Sequence, residues 1–249
     1  MIFRQLFEPV SSTWTYLLGC EETGLAVLID PVLPAWQRDL AELNSLELRL
    51  AYTLDTHIHA DHLTAASRLR QEAGSRIAGP APDCLPCVDV AVDEGRPLAV
   101  GSIILLPLHT PGHTDNHFAY GLHDRVFTGD ALLIDGCGRT DFQKGDAATL
   151  YRTITGKLFS LPDEVLVYPG HDYQGRRVSS IGQEKTRNPR IGGGKSLDEF
   201  VRIMAQLDLA YPKFMDFAVP GNRQCGICPA GIPENMDQYC EQITLSLQG

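Results

Sequence analysis

The sequence has no apolar run of about 18 residues, the length expected of a membrane-spanning helix, so we expect no membrane partner. Positive charge is also scarce. Only 21 Lys and Arg residues stand against 31 Asp and Glu residues, and the formal net charge is -10. Proteins that bind nucleic acids usually concentrate positive charge, so we expect no nucleic-acid partner. A small anionic ligand could still bind at a local cluster of arginines.

Residues 1–7 lack the features of a targeting segment. A secretory signal would show a basic start followed by a longer apolar stretch, and a transit peptide would be rich in Arg and Ser. We expect a strand at this position and a cytoplasmic location for the protein.

Cysteines are too scattered for a disulfide scaffold, because the seven residues are an odd number. We expect reduced thiols. Two C-x-x-C pairs occur, Cys84 with Cys87 and Cys225 with Cys228. A four-thiolate zinc site, a redox-active or persulfide-carrying pair, and ordinary packed or surface cysteines remain open for these pairs, and we favour the last.

Strand-like runs repeatedly end in polar residues. Residues 48–54 lead into a histidine cluster, residues 165–168 lead into His171, and similar runs precede His113 and Asp130. Ligand sites of open α/β sheets lie outside the carboxyl ends of strands. The pattern predicts two β-rich halves, with two facing sheets, helices on the outside and a site along one edge.

Several helices are predicted by their end signals. Residues 63–73 have helical character and Gly74 ends them, since glycine often terminates a helix. Asp146 can cap a later helix, and residues 196–199 form a capping box.

Three imidazoles and a carboxylate occur within six residues, at His57, His59, Asp61 and His62. These are poor core residues, because burying unpaired polar groups costs free energy. Crowded protonated histidines would repel one another, whereas neutral imidazoles can share a divalent metal ion. A solvated His-rich loop is the alternative, and we favour a metal site.

The first candidate ligand set is His57, His113 and Asp130. Two imidazoles and one carboxylate hold iron(II) while leaving coordination positions open. His59 could ligate the same metal, or it could hydrogen-bond to a ligand from outside the coordination sphere.

A second candidate set consists of Asp61, His62 and His171. If both sets were filled, two metal ions could lie about 3.5–4 Å apart, as in binuclear hydrolases. The donor inventory alone does not distinguish one metal from two.

These side chains follow a definite order, His57-x-His59-x-Asp61-His62, then His113, Asp130 and His171. The order resembles the signature of the metallo-β-lactamase fold superfamily over most of the chain. The resemblance implies an α/β protein with an αβ/βα sandwich, two mixed β-sheets with helices on the outside, and a metal site at the edge of the sheets.

Three further stretches narrow the resemblance. They are Gly-Cys-Gly-Arg-Thr-Asp-Phe-Gln at 136–143, Tyr-Pro-Gly-His-Asp-Tyr at 168–173 leading to Asn-Pro-Arg at 188–190, and Pro-Lys-Phe-Met-Asp-Phe-Ala-Val-Pro at 212–220. Together they look like the persulfide dioxygenases, also called sulfur dioxygenases, of the ethylmalonic encephalopathy protein family. The first and last stretches depart from what is typical of glyoxalase II.

The resemblance implies one iron(II) per chain, held by His57, His113 and Asp130. The implied reaction converts glutathione persulfide, O2 and water to glutathione and sulfite, a step of sulfide oxidation and detoxification. The resemblance also implies that Tyr173 and Arg190 contact glutathione, which agrees with the bidentate pairing of arginine and carboxylate.

The family that this sequence resembles binds one metal, so the residues of the second candidate set need another role. We expect His59, Asp61, His62 and His171 to hydrogen-bond to iron ligands or substrate. Arg139 either contacts substrate or stabilises its own loop, and the residues do not decide between these roles.

We expect a single metallo-β-lactamase-like domain over residues 1–249, with residues 190–249 as a C-terminal helical, substrate-binding extension. The oligomeric state stays open, with a homodimer as one alternative. Two other functions also remain: a binuclear zinc glutathione-thioester hydrolase of the glyoxalase II type, and a non-catalytic sulfur carrier that uses the C-x-x-C pairs.

Overall fold

The structure is a computed structural model that describes residues 1–230. Within them the chain forms twelve strands, six α-helices and three short 3-10 turns. The strands are β1 (Ile2–Glu8), β2 (Thr13–Gly19), β3 (Leu25–Ile29), β4 (Arg49–Leu54), β5 (Arg76–Pro80), β6 (Val90–Val92), β7 (Leu98–Val100), β8 (Ile103–His109), β9 (Phe118–Gly121), β10 (Arg125–Gly129), β11 (Leu166–Pro169) and β12 (Ser179–Ser180). The helices are α1 (Trp36–Ser45), α2 (Ala66–Ala73), α3 (Ala147–Gly156), α4 (Ile181–Arg187), α5 (Leu197–Ala205) and α6 (Met215–Asn222).

The chain divides into two compact units. The first contains residues 1–91, residues 99–103 and the described residues from 211 onward. Its six-stranded sheet has the order β1-β2-β3-β4-β5-β6. Strands β1 to β3 pair antiparallel, whereas β3, β4 and β5 run parallel. Leu17, Leu28 and Leu69 pack together from β2, β3 and α2, so one face of the sheet is covered by helix.

The parallel pair in this unit sets the position of the histidine cluster. Ile29 of β3 lies opposite Leu54 of β4, and both strands end there. Residues that follow parallel neighbours emerge at the same edge of a sheet. Asp30 and the segment from Asp55 to His57 therefore lie next to each other.

The second unit contains residues 92–98 and 104–210. Its sheet has the order β12-β11-β10-β9-β8-β7. Leu150 and Ile154 of α3, Phe200 of α5 and Val167 of β11 form its fully buried core. Strands β10 and β11 are parallel neighbours, while β8, β9 and β10 are antiparallel, so this sheet is also mixed.

The predicted helix ends are confirmed. Gly74 adopts a left-handed conformation with φ of 66° and ends α2. Asp146 accepts a hydrogen bond from the Thr149 amide at the start of α3. Ser196 and Glu199 form both bonds of the capping box before α5.

Two helices differ from the sequence prediction. The helix expected from residue 63 starts at Ala66, because Leu63 accepts a hydrogen bond from the Leu33 amide and Thr64 forms a β-bridge with Val32. Helix α6 was not predicted. It contains Pro220 in its interior, and proline normally argues against a helix.

The expectation of reduced thiols is wrong for Cys87 and Cys225, which form a disulfide with a Cα–Cα distance of 6.1 Å. Cys228 is disulfide-bonded as well. Three of the four C-x-x-C sulfurs are therefore unavailable to the four-thiolate zinc alternative, and the favoured interpretation as ordinary cysteines is wrong for Cys228 and for the pair Cys87 and Cys225. The pair is 138 residues apart, and only the fold brings α6 close to the loop after β5. Cys84 is free and exposed.

The single-domain organisation and the extension at 190–249 stay predictions. Helix α5 belongs to the second unit and α6 to the first, while residues 231–249 lie outside the described residues. Among residues 1–230, no helix combines the length and apolar character that a membrane span requires.

Candidate metal centre

His57 is buried just beyond the end of β4, and its ring is oriented by a short chain of hydrogen bonds. The Thr56 hydroxyl donates to the Asp30 carboxylate at 3.0 Å and lies 2.9 Å from His57 Nδ1. Since the single hydroxyl proton goes to Asp30, the hydroxyl oxygen accepts from His57 Nδ1–H. This tautomer leaves His57 Nε2 as the nitrogen that can bind a metal.

His59 is held by the same carboxylate. Its Nε2 lies 3.1 Å from Asp30 Oδ1, and within residues 1–230 its buried Nδ1 has no hydrogen-bond partner. Burial lowers the pKa of His59, but the neighbouring Asp30 carboxylate outweighs this and raises it to about 9. Metal-binding histidines usually bond a carboxylate through one ring nitrogen and the metal through the other. In His59, Nε2 bonds the Asp30 carboxylate and Nδ1 is left as the potential metal ligand.

Asp61 and His62 lie against His59. The three residues offer ligand atoms that are all within 4.8 Å of one another. His62 Nδ1 is 2.9 Å from Asp61 Oδ2, and the Thr13 hydroxyl is 3.3 Å from the same nitrogen. Within the first unit, the structure therefore brings together Asp61 and His62 of the second candidate set.

Asp130 and His171 meet in the second unit because β10 and β11 are parallel. Gly129 lies opposite Pro169 at the ends of these strands, so the next residues are neighbours. His171 Nδ1 is 2.6 Å from Asp130 Oδ1, while Asp130 Oδ2 lies 3.7 Å from Nε2 of His113. One carboxylate oxygen is thus occupied by His171, and the other faces an imidazole nitrogen.

His113 is oriented by the loop that follows Asp130. Its Nδ1 donates to the Arg139 carbonyl at 2.7 Å, so Nε2 carries the free electron pair. Gly138 allows this approach, since a Cβ at that position would lie 2.7 Å from His113 Nδ1.

His117 fixes the backbone of Asp130. The Asp130 amide donates to His117 Nε2 at 3.1 Å, and His117 Nδ1 lies 2.8 Å from the Thr110 hydroxyl. Both ring nitrogens are therefore engaged with protein groups, and His117 supports a candidate ligand rather than serving as one.

In each unit, the donor side chains are of the kinds that bind divalent transition metals. His57 and His113 each have one nitrogen bound to a protein acceptor and the other left as a potential ligand. In the second unit Asp130 offers a carboxylate oxygen beside His113, and in the first unit His59 offers a buried nitrogen without a hydrogen-bond partner among the described residues. Mixed imidazole and carboxylate donors suit iron, zinc and manganese.

The candidate substrate residues have different surroundings. The Tyr173 ring is 76% exposed and stacks on the His171 ring at a centroid distance of 6.2 Å. Arg190 is half-buried, and its guanidinium donates to the Cys137 carbonyl. Arg139 is engaged by Asp141 at 2.7 Å and by the carbonyls of residues 209 and 210. These contacts fit the loop-stabilising role of Arg139 better than the substrate role.

Sequence reasoning missed three residues that support the site: Asp30, Thr56 and Asn222. A signal existed for Asp30, because an aspartate directly follows a strand next to the one that carries the histidines. None existed for Asn222, whose side chain bonds to residues about 160 positions earlier.

Comparison with known proteins places this geometry in a family. Residues 9–171 match the family described as the metallo-beta-lactamase superfamily. The chain is 46% identical over 235 residues to the human protein named persulfide dioxygenase ETHE1, mitochondrial, covering 91% of this chain and 89% of that one. It is 34% identical over 208 residues to the cytoplasmic hydroxyacylglutathione hydrolase of Arabidopsis thaliana, covering 80% and 78% of the two chains.

A solved structure agrees in fold. The crystal structure of ETHE1 from Myxococcus xanthus is 54% identical, with a TM-score of 0.89, and the match covers 91% of this chain and all (100%) of that chain. The predicted αβ/βα fold class is confirmed. The chain belongs to the metallo-β-lactamase superfamily and, within it, to the persulfide dioxygenase family.

Proposed function

We propose that this protein is a persulfide dioxygenase that oxidises glutathione persulfide with O2 and water to glutathione and sulfite. The observation that carries the proposal is the 46% identity to the human persulfide dioxygenase across 91% of the chain. The thioester hydrolase of Arabidopsis thaliana is more distant, at 34% identity over 80% of the chain. Fold alone would not separate these activities, because the superfamily fold hosts several chemistries.

The proposed cofactor is one iron(II) per chain, bound by His57, His113 and Asp130. When bound, iron(II) in a site of two imidazoles and one carboxylate supplies open positions for a soft sulfur ligand and for oxygen. The tautomers of both histidines support this assignment, since each directs Nδ1 to a protein acceptor.

The surrounding residues would keep the ligands in place during turnover. Asp30 receives hydrogen bonds from the Thr56 amide and hydroxyl and from His59, so it anchors the histidine cluster. His171 occupies one oxygen of Asp130, which leaves the other oxygen for the metal. Partners of this kind typically contribute about 10–100-fold to metal affinity or activity.

Glutathione would be recognised by Tyr173 and Arg190. The exposed Tyr173 ring offers an aromatic face and a hydroxyl, and Arg190 can pair with a glutathione carboxylate. We assign Arg139 to support of the loop that orients His113, because its guanidinium binds Asp141 and two main-chain carbonyls.

The substrate assignment predicts a defect specific to binding. Arg190→Ala should raise KM for glutathione persulfide about 10–100-fold with a smaller effect on kcat, because a hydrogen bond to a charged group is lost. Oxygen uptake as a function of persulfide concentration measures this. The matched control is Arg152→Ala, at an exposed position on α3, which should leave KM unchanged. An unchanged KM in Arg190→Ala would remove Arg190 from the substrate site.

The reaction itself is tested by product balance. Purified protein loaded with iron should consume one O2 and release one sulfite for each glutathione persulfide, with no hydrolysis of S-lactoylglutathione. Thioester hydrolysis without oxygen uptake would establish the binuclear zinc hydrolase instead. Persulfide transfer by metal-free protein would establish the sulfur carrier, although three of its four C-x-x-C cysteines, Cys87, Cys225 and Cys228, are already disulfide-bonded.

We further propose a cytoplasmic location and keep the homodimer as the assembly to test. The human relative is named as a mitochondrial protein, so the compartment needs a direct test. Cell fractionation followed by immunoblotting tests the location, and light scattering of the purified protein tests the assembly.

A further inference from the structure

Asn222, at the end of α6, binds the backbone of the histidine cluster with its side chain. Its Nδ2 donates to the carbonyls of His59 at 2.9 Å and His62 at 2.7 Å. Its Oδ1 accepts from the Thr64 amide at 2.9 Å. The side chain is 4% exposed, so these three bonds form away from water.

The segment after Asn222 lies close to the histidine loop, which consists of residues 55–63. The Cys225 carbonyl accepts from the Ser67 amide at 3.0 Å, beside the start of α2. Gly226 has φ of 88°, and a Cβ there would lie 1.9 Å from the Thr64 carbonyl oxygen, so only glycine fits. The disulfide from Cys225 to Cys87 fastens the same segment to the first unit.

The histidine loop needs such a support because its rings are crowded. The ring centroids of His57 and His59 are 4.2 Å apart, and those of His59 and His62 are 4.3 Å apart. The loop around them is not part of a helix or strand, so no helical or ladder hydrogen bonds fix its backbone. Its geometry therefore depends on bonds from other segments.

Asparagine suits the three bonds observed at this position. A side-chain amide supplies two N–H donors and a carbonyl acceptor. Aspartate has the same size but no donor when ionised, and it would place negative charge against two carbonyl oxygens. Glutamine keeps the donors but is one methylene longer, and serine has a single donor.

We propose that Asn222 is a positioning residue that fixes the histidine loop in the conformation that binds the metal. This inference rests on the proposed function, since it assumes that His57 of that loop is a metal ligand. The inference also gives a role to the C-terminal part of the described chain. Residues 212–220 in that part narrowed the resemblance to the persulfide dioxygenases, although they lie far from the candidate ligands in sequence.

The test compares Asn222→Asp with the wild type in metal binding rather than in activity. Metal-free protein is titrated with Co(II), and the visible absorption of bound Co(II) reports its coordination. We expect an affinity about 10–100-fold weaker, as for other groups that orient ligands, and a changed spectrum. Asn222→Gln should lie between the wild type and Asn222→Asp, since it retains both donors.

Asn44→Asp is the matched control, because it makes the same chemical change at an exposed position on α1. Its Co(II) affinity and spectrum should equal those of the wild type. If Asn222→Asp does not fold, Asn222→Ser replaces it, with an expected loss of about 10-fold. A folded Asn222 variant with wild-type Co(II) affinity and spectrum would overturn the proposal, even if its melting temperature fell.

The outcome is separable from that of the proposed function. Wild-type protein that binds metal but consumes no oxygen would overturn the dioxygenase, and the Co(II) comparison would still decide the role of Asn222. Unchanged Co(II) binding in Asn222→Asp, with normal dioxygenase activity in the wild type, would overturn only the positioning role.

Discussion

At the scale of single residues, hydrogen-bond partners decide which atoms are left for a metal. The Thr56 hydroxyl accepts a hydrogen bond from Nδ1 of His57, the Arg139 carbonyl accepts one from Nδ1 of His113, and His171 Nδ1 bonds to one oxygen of Asp130. Under the proposed assignment, these partner groups would orient the ligands without binding the metal themselves.

His57→Ala should abolish iron binding and persulfide-dependent oxygen uptake while leaving the fold intact. The residue lies in a loop beyond β4 and belongs to none of the hydrophobic clusters, so removal of the ring should cost little of the core. Iron analysis and oxygen uptake measure the loss, and circular dichroism measures the fold. An unfolded variant, or one that retains iron, would contradict the prediction.

Asp39 predicts a pH dependence away from the metal centre. Burial raises its pKa from 3.8 to about 6, although Arg38 opposes the shift. Because the folded pKa exceeds the unfolded value, the native state gains stability from the proton below about pH 4 and loses it as pH rises through about 6.

Asp39→Asn should therefore become more stable than the wild type above pH 6, by on the order of 1 kcal/mol, with the advantage shrinking towards pH 4. Urea unfolding of both proteins at several pH values measures the difference. A constant difference in unfolding free energy between pH 4 and pH 7.5 would show that Asp39 does not carry this dependence.

At the scale of elements, the sequence predicted what depends on local pattern. The strands that deliver His57, Asp130 and His171, the cap at Asp146 and the end of α2 at Gly74 all follow from apolar periodicity and end signals. The candidate metal ligands were predicted from the order of histidines and aspartates in the sequence, because few types of side chain can bind a metal ion.

The features that the sequence did not predict depend on contacts between distant segments. Helix α6 contains a proline, so its local pattern argues against it, and it is stabilised by packing of Phe217 and Ala218 against Leu33 and Leu63. The bonds of Asn222 and the disulfide between Cys87 and Cys225 join residues more than 130 positions apart. Without the fold, nothing in the sequence links these residues.

The disulfide should contribute to the stability of the first unit. A crosslink that closes a long loop reduces the entropy of the unfolded chain, and for loops of this size the contribution is about 3–5 kcal/mol at most. The double variant Cys87→Ser, Cys225→Ser should melt at a lower temperature than the oxidised wild type, whereas Cys84→Ser should not. Equal melting temperatures for oxidised wild type and double variant would contradict this.

At the scale of the whole molecule, the types of metal ligand do not decide which reaction is catalysed. The ligand types are compatible with both one-metal and two-metal chemistry, since Asp61 and His62 lie together beside His59. The dioxygenase is favoured over the hydrolase by sequence similarity, at 46% identity over 91% of the chain against 34% over 80%. The net charge of -10 agrees with a small-molecule substrate rather than a nucleic acid.

The most direct measurement is a titration of metal-free protein with iron(II) under anaerobic conditions. Bound iron is then measured in each sample, and persulfide-dependent oxygen uptake is measured after transfer of the same sample to oxygenated buffer. We predict that oxygen uptake rises in proportion to bound iron and reaches its maximum at one iron per chain. Maximal activity only with two zinc ions per chain, expressed as thioester hydrolysis without oxygen uptake, would contradict the dioxygenase.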